Sequence, residues 1–457
     1  MGRTFTCTFA WTVSFTVLVA FGLGGCSDSL PSLPKFSDLN PFAEKQTPLP
    51  GKRVAIMETP GGYAAELANA SRPITLPPQR ANEDWTQPGG TPSNAPGHLA
   101  FSGSPKQAWT ADAGTGSGSA GRLTASPVVY DGRIYTLDAA ARITAISTSG
   151  GSVVWRQTLV PEKEQGGFFS FGSDAKGGFG GGLAIDNGRL YAATGYGVVV
   201  ALDPKSGKKL WEKNLGAPVR ASPTAAADRV FVVTANGRLF ALAGTDGSEM
   251  WSSRGLPEQA SLISNPSPAV EGDVVVAPFT SGELVAVRIS DGQTLWTESL
   301  TRTRVSSAMG VLSDAGRPAI DGGTVFAVGH GGRMIATQLK NGERLWSLSV
   351  PSTQGPWVAG ESVFVVDTTG QLIAVNRRDG KVLWSTKLQG SNIWSGPTLA
   401  GGLLWLVSNQ GALVGVDATT GRVASQQSLG TPAYIAPVVA QGRMYVLADN
   451  ARLFALN

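Results

Sequence analysis

A three-residue signature recurs along most of this chain and constrains its fold more than any other feature. An alanine is followed six residues later by a glycine and, four residues after that, by a tryptophan. Complete copies begin at Ala145, Ala201, Ala241, Ala286, Ala336 and Ala374, while a seventh reads Gly415, Gly421, Ser425 and an eighth begins at Ala455. Units that recur about every 40–50 residues indicate one supersecondary motif made many times, which is typical of propeller blades.

Each unit also carries short apolar runs that predict β-strands. In one unit these runs are Arg229–Phe231 and Arg238–Leu242, and a further strand starts near Trp251. The runs are rich in β-branched and aromatic residues, and Asp-Gly, Asn-Gly or Ser-Gly turns often separate them. A first, shorter run is marked by proline, as at Pro127 and Pro268. Because four short antiparallel strands make one blade, the sequence predicts an all-β fold, an eight-bladed β-propeller with four-stranded antiparallel blades.

The two ends of the repeat region complement each other. The last unit lacks its outer strand, and a matching piece, Lys106–Asp112 with Trp109 at its centre, precedes the first unit. We expect this N-terminal strand to complete the C-terminal blade, because ring closure removes two exposed sheet edges that would otherwise promote aggregation. One propeller then takes residues 81–457, although the length alone would suggest several domains.

The tryptophans are predicted to hold adjacent blades together. The glycine provides a tight turn into the outer strand, and the alanine leaves a flat space without a bulky side chain. An indole lying in that space would bury about 100 Å² or more of apolar surface. The predicted docking residues are Trp109, Trp155, Trp211, Trp251, Trp296, Trp346 and Trp384.

The N-terminal residues are typical of a bacterial lipoprotein. Residues 1–25 combine Arg3 with an apolar run and predict a secretory signal peptide, the alternative being an uncleaved membrane anchor. Leu23-Gly24-Gly25-Cys26 matches a lipobox, so Cys26 is the predicted lipidation site, and Ser27 after it favours the outer membrane. Residues 26–80 are rich in Pro, Ser and Lys and predict an extended tether.

Candidate chemistry is sparse. The cysteines are Cys7, lost with the signal, and Cys26, so the mature propeller has no disulfide to form. His98 and His330 have no metal-binding neighbours at suitable spacing, and we expect structural roles for them, with His330 near the axial channel. The net charge is +4, and the basic residues show no clustering that would predict nucleic-acid binding. We predict no catalytic, cofactor-binding or metal-binding residue.

Two further patterns are interpreted structurally. Aspartates recur near strand ends, at Asp138, Asp203, Asp367 and Asp417. Capping of turns explains them better than acid–base catalysis does. Residues 161–182, rich in glycine and phenylalanine, predict a loop that projects from one face, without the residues of a phosphate-binding loop.

The unit from Ala201 to Trp211, Ala-x-Asp-x-x-x-Gly-x-x-x-Trp, resembles the quinoprotein-type propeller repeat. Two families share that repeat: quinone-dependent periplasmic dehydrogenases, and the BamB family of lipoproteins in the outer-membrane β-barrel assembly machinery. The lipobox, the tether and the segment Asp84-Trp85-x-x-Pro88-Gly89-Gly90 are similar to alphaproteobacterial members of the BamB family. The dehydrogenases often carry adjacent cysteines under the quinone and carboxylates around calcium, and no such set can be identified here.

The resemblance to the BamB family implies a function. Such a protein would be a non-catalytic scaffold on the periplasmic face of the outer membrane that binds the barrel-forming subunit, BamA, and aids unfolded outer-membrane protein clients. The implied partner-binding residues are Leu262, Leu312, Ser313 and Asp314. The family's arginine falls on Ile263 and its second acidic position falls near Gly316, so the charged contacts differ. The alternative is that Leu262 packs inward and Asp314 caps a turn.

Overall fold

Short β-strands form the regular structure of this chain. The computed structural model describes residues 73–102, 104–119, 121–161, 180–255, 266–301, 315–391 and 393–457. Within these ranges the chain forms 32 strands and no α-helix. The strands assemble into eight four-stranded antiparallel sheets, which confirms the predicted eight-bladed β-propeller.

The blades are numbered in chain order, and each is given from its innermost strand outwards. Blade 1 contains β2 (Val128–Tyr130), β3 (Arg133–Leu137), β4 (Arg142–Ser147) and β5 (Val153–Thr158). Blade 2 contains β6 (Gly181–Asp186), β7 (Arg189–Thr194), β8 (Val198–Leu202) and β9 (Lys209–Asn214). Blade 3 contains β10 (Thr224–Ala226), β11 (Arg229–Val233), β12 (Arg238–Ala243) and β13 (Glu249–Arg254). Blade 4 contains β14 (Ala269–Glu271), β15 (Val274–Pro278), β16 (Glu283–Arg288) and β17 (Thr294–Ser299).

The second half of the ring repeats this plan. Blade 5 contains β18 (Ala319–Asp321), β19 (Thr324–Val328), β20 (Met334–Gln338) and β21 (Arg344–Leu348). Blade 6 contains β22 (Trp357–Ala359), β23 (Ser362–Val366), β24 (Gln371–Asn376) and β25 (Val382–Lys387). Blade 7 contains β26 (Trp394–Ala400), β27 (Leu403–Ser408), β28 (Ala412–Asp417) and β29 (Val423–Ser428). Blade 8 contains β30 (Val438–Ala440), β31 (Arg443–Leu447), β32 (Arg452–Leu456) and, as its outer strand, β1 (Gln107–Asp112).

The ring closes as the sequence predicts. In blade 8 the sheet order is β1-β32-β31-β30, and Trp109 lies opposite Ala455 in the antiparallel pair. The N-terminal strand therefore supplies the outer strand that the last unit lacks. Closure in this way ties the two ends of the repeat region together and leaves neither β1 nor β32 with two unpaired edges.

The apolar core lies between the blades. The first strands of successive blades contact one another around the axis, and the last strands face outward. In blade 3, β11 is buried from its second residue onward, whereas every residue of β13 is exposed or half-buried. One buried cluster joins Tyr191 and Trp211 of blade 2 to Val230 and Phe240 of blade 3. Each blade thus completes its core only by packing against its neighbours, which is the physical meaning of a repeat protein.

Each tryptophan joins its own blade to the next one. Trp211 of blade 2 donates its indole N–H to the carbonyl oxygen of Gly244 in blade 3 over 2.9 Å. Its ring lies on Gly247, where an added Cβ would come within 2.6 Å of the indole. Gly247 also has a φ of +73°, which an L side chain rarely adopts. The glycine of the signature therefore has two functions: it makes the turn, and it provides the surface on which the preceding blade's indole packs.

The same geometry recurs around the ring. The indole N–H groups of the seven docking tryptophans donate to backbone carbonyls over 2.7 to 3.2 Å. The acceptors, in chain order, are Thr148, Pro204, Gly244, Ile289, Leu339, Arg377 and Ala418. All of them lie in the turn between the third and fourth strands of the following blade. This turn is thus the docking surface for the preceding blade.

The missing tryptophan at Ser425 has a structural reason. Ser425 lies opposite Gly415 in blade 7, where the other units have the tryptophan and its alanine. The next blade is blade 8, whose third and fourth strands, β32 and β1, come from opposite ends of the repeat region. No turn joins these two strands, so the carbonyl and glycine that would receive an indole are missing from that position.

A segment before the first blade runs around the axis and contacts every blade in turn. We call residues 80–101 the plug. Trp85 and Val129 exchange two backbone hydrogen bonds of 2.8 Å, and the Asn82 amide donates to Val439 at 2.9 Å. Hydrogen bonds of the plug reach one residue in the innermost strand of each blade: Val129, Ile185, Ala225, Val270, Ile320, Trp357, Leu399 and Val439.

The plug satisfies backbone groups that the blades leave unpaired. An innermost strand is an edge strand, so its outer N–H and C=O groups have no partner within the blade. The Gln87 side chain donates to the carbonyls of Ile185 and Ala225 at 2.9 Å each, and it accepts from the Ala225 N–H at 3.0 Å. Asn94 donates to Pro268 and Pro318. Two buried amides thereby connect blades 2 to 5.

Loss of a plug amide is expected to weaken the whole ring. The variant Gln87→Ala should lower the free energy of unfolding by about 2–4 kcal/mol, because it leaves buried groups of two blades without partners. Gln389→Ala removes an exposed glutamine with one long contact and is the matched control. Urea unfolding followed by tryptophan fluorescence measures both. Equal stability of the two variants would contradict the assigned function of the plug.

Substitution of a docking tryptophan tests the contact between adjacent blades. Trp211→Ala should lower the free energy of unfolding by about 3–5 kcal/mol, since it opens a cavity between blades 2 and 3. Trp211→Phe should lower the free energy of unfolding by less than Trp211→Ala does. It keeps most of the aromatic volume between the blades and loses only the hydrogen bond to Gly244. Ser425→Trp is expected to bring no gain in stability, because blade 8 lacks the receiving turn. Thermal unfolding compares the three variants, and a clearly stabilised Ser425→Trp would overturn the explanation for the missing tryptophan.

Candidate functional site

The two faces of the ring differ. The plug lies at the face that carries the turns between first and second strands, where Asp84 accepts a hydrogen bond from the Asp131 N–H. We call this the plug face. The other face carries the turns between second and third strands and the connections from one blade to the next, and we call it the open face. Any ligand or partner that enters the axial channel from the open face meets the plug at the far end.

The predicted partner-binding residues lie outside the described residues. Leu262 falls within 256–265, and Leu312, Ser313 and Asp314 fall within 302–314, while Cys26 precedes residue 73. The residues that flank both segments are described and lie at the open face. Gly255 donates to Gly237 in the turn between β11 and β12, and Ala315 pairs with Gly329 after β19. Both segments thus attach to one face, before blades 4 and 5.

The axial channel forms a cavity at the open face. Its volume is about 450 Å³, and its lining comes mainly from blades 5 to 8 and from residues preceding blade 1. A smaller space of about 50 Å³ lies beyond it against Trp85 and Pro88 of the plug. The volume of the larger cavity is in the range of small-ligand sites. The plug lies at the far end of this cavity.

Arg317 lies between the cavity and the plug. Its guanidinium donates to the carbonyl of Pro88 over 3.1 Å, and its Nε has no hydrogen-bond partner among the described residues. Burial lowers the pKa of Arg317 to about 10, and no carboxylate of the described residues offsets that effect. The side chain is still charged at neutral pH. Arg317 thus forms no ion pair with a carboxylate of the described residues, although Asp367 lines the same cavity.

The two histidines have different environments. His98 is fully used in structure: its Nδ1 bonds to the carbonyl of Pro77 at 2.7 Å, and its Nε2 accepts from the N–H of Gly402 at 2.9 Å. His330 lines the axial cavity, as its position in the sequence suggests, and its buried Nδ1 has no partner within the described ranges. The sequence therefore located His330 correctly but did not reveal Arg317 next to the same cavity.

The recurrent aspartates cap turns, as predicted. Oδ1 of Asp367, which also lines the cavity, accepts from the N–H groups of Thr369 and Gln371 at 2.8 Å each. At Asp203 the N–H of Ser206 is the main cause of a lowered pKa. Within the described ranges, no three His, Cys, Asp or Glu side chains are placed to hold a metal ion. In the same part of the chain, no helix is long and apolar enough to cross a membrane.

The sequence comparisons identify relatives of this propeller. A family model described as outer membrane protein assembly factor BamB matches residues 99–166, 164–386 and 373–457. A protein of that name from Burkholderia pseudomallei is 29% identical over 208 residues, which are 45% of this chain and 48% of that protein. The chain spans about half the length, or less, of the curated relatives that it matches.

Solved structures share the fold. The crystal structure of BamB from Moraxella catarrhalis has a TM-score of 0.63 at 17% identity and covers 78% of this chain and 100% of that chain. The quinohemoprotein alcohol dehydrogenase from Comamonas testosteroni has a TM-score of 0.65 at 13% identity, covering 86% of this chain and 84% of that chain. At these identities the likeness shows the fold alone, since one fold hosts different functions.

Proposed function

This chain belongs to the family of outer membrane protein assembly factor BamB, and we propose that it is a non-catalytic scaffold in the assembly of outer-membrane β-barrel proteins. The observation that carries the proposal is the family match, which runs from residue 99 to residue 457 and so takes in the whole ring. Relatives with that name are outer membrane assembly factors, which favours association with the outer membrane.

In the proposed mechanism the open face binds the periplasmic domains of the barrel-forming subunit, BamA. Leu262 and Asp314 would make the contacts, an apolar anchor beside an acidic group being a typical centre of an interface. The attachment of both segments to one face supports this arrangement. The plug face is less suited to the same partner, because the plug already occupies the inner edges of the blades.

Gly316 explains why one family contact differs here. Its N–H donates to Val328 over 2.7 Å, and an added Cβ would lie 3.0 Å from the carbonyl oxygen of Gln354. The position is packed between blades 5 and 6, so an acidic side chain there could not reach a partner without moving the backbone. The proposed interface therefore relies on Asp314 for its acidic group.

The membrane anchor and the clients complete the proposal. Lipid on Cys26 would hold the protein at the periplasmic face of the outer membrane, with residues 26–80 as a tether. Unfolded clients would pair with the outermost strands, whose free edges can take an added strand. Apolar side chains are exposed there, including Val154, Leu210 and Leu345 at 45%, 49% and 45% exposure. These side chains would contact alternate residues of a bound client strand.

Substitution of the proposed contacts should separate binding from folding. Leu262→Lys combined with Asp314→Lys is expected to abolish co-purification with BamA from solubilised envelopes, since it replaces an apolar anchor and inverts a charge. The control is Thr245→Lys with Asp273→Lys, an exposed threonine and an exposed aspartate in turns of the plug face. Circular dichroism checks that both variants fold. Unchanged co-purification of the first variant would remove these residues from the interface.

The dehydrogenase alternative has a test of its own. The observation in its favour is the shared fold of the quinohemoprotein enzyme. Those enzymes need a calcium site and a bound quinone. We expect the purified, lipidated protein to carry neither in stoichiometric amount, measured by elemental analysis and redox absorbance. A stoichiometric quinone with calcium would replace the scaffold proposal by the enzyme.

A further inference from the structure

Arg317 differs from the residues at the same position in the other blades. It directly precedes the proline that begins the first strand of blade 5. The equivalent residues before that proline are small: Ser126, Ser222, Ser267, Gly355, Gly396 and Ala436. Because the repeats build the same strand with Ser, Gly or Ala, the fold does not require an arginine there. The internal repeats thus act as a control, and they indicate that the first strand of blade 5 forms without needing Arg317.

The charge of Arg317 is costly where it lies. Arg317 is half-buried, and a cation removed from water in this way is normally paired with a carboxylate, because desolvation of an unpaired charge destabilises the protein. Among the described residues Arg317 has a single neutral acceptor, the carbonyl of Pro88, and its Nε is unpartnered. A charged side chain that has no charged partner among the described residues is typical of a binding site.

The remaining lining of the cavity matches an anion with an apolar body. The other titratable lining groups are His330, whose Nδ1 has no partner among the described residues, Asp367, whose Oδ1 already caps a turn, and Tyr434. Apolar walls come from Leu123, Ile393 and Ile435. One guanidinium fits one singly charged carboxylate in a bidentate pair, whereas a doubly charged phosphate would lack a second cation and would face Asp367.

We propose that the axial cavity binds an organic carboxylate, with Arg317 pairing with the carboxylate and the apolar walls contacting the rest of the ligand. The ligand would replace water at the guanidinium and supply the missing counter-ion. Because Arg317 also contacts Pro88, the bound ligand would lie one residue away from the plug. This inference goes beyond the scaffold function, and its test does not involve the assembly machinery.

The same carboxylate could belong to a small acid or to the end of a polypeptide, and two probes distinguish these sources. One is N-acetyl-valine, and the other is a blocked tripeptide of two alanines and a valine with a free C-terminal carboxylate. Each is titrated by calorimetry into the full-length lipidated protein in detergent, beside the same molecule with its carboxylate converted to an amide. We expect amidation to weaken binding about tenfold or more, since it removes a charge-assisted pair. Tighter binding of N-acetyl-valine would indicate a small acid as the ligand, and tighter binding of the tripeptide would indicate the end of a polypeptide.

Variants show whether Arg317 is the binding group. Arg317→Gln should weaken carboxylate binding about tenfold or more, and Arg317→Lys should retain part of it, because lysine keeps the charge without the planar fork. Arg333→Gln, in the turn before β20, removes another open-face arginine and should bind like the original protein. Ligand-free Arg317→Gln is expected to unfold at the same temperature or higher, which shows that lost binding is not lost folding.

Other results would overturn the proposal. Equal affinity for acid and amide, or unchanged affinity in Arg317→Gln, would show that the guanidinium does not bind a carboxylate. Binding of inorganic phosphate without binding of either carboxylate would assign the cavity to a different anion. The absence of heat from both carboxylates at millimolar concentration would leave Arg317 without the proposed ligand.

Discussion

The contact between an indole and the glycine of the next blade is the interaction on which the ring depends. This contact sets both the distance and the angle between adjacent blades. The indole packs directly on the α-carbon of the glycine, which has no side chain, and the indole N–H donates to a carbonyl in the same turn. Each blade buries its apolar surface only against its neighbours, so this spacing also determines the core. At the one junction without a tryptophan, between blades 7 and 8, the receiving turn is replaced by the pairing of β1 with β32.

The plug adds what the blades alone cannot provide. A ring of similar blades would have two comparable openings and eight innermost strands with unpaired backbone groups. The plug bonds to all eight strands, satisfies backbone groups of seven of them and lies at one end of the channel. The two faces therefore differ: the plug covers the inner strands at the plug face, whereas the open face carries a cavity and the connections between blades. The proposed scaffold function and the proposed carboxylate site both follow from this difference.

The sequence predicts the architecture well because the signature is local and repeated, so strands, blade number and ring closure can all be derived from spacing. The plug could not be predicted from local sequence patterns. Most of the carbonyls to which Gln87 and Asn94 donate hydrogen bonds, including those of Ala225 and Pro318, lie more than a hundred residues away in the chain. Arg317 stands out only when the blades are aligned on their prolines. The predicted contacts at Leu262 and Asp314 remain predictions, since they lie outside the described residues.

The central claim is that the open face, and not the plug face, binds the barrel-forming subunit. A photo-crosslinking amino acid placed at Asn236 or at Asp246 tests it directly, because both are exposed turn residues of blade 3 on opposite faces. Irradiation of intact cells followed by mass spectrometry identifies what each position contacts. The account predicts crosslinks to the barrel-forming subunit from position 236 and none from position 246. Crosslinks to that subunit from position 246 alone, or equally from both, would contradict it.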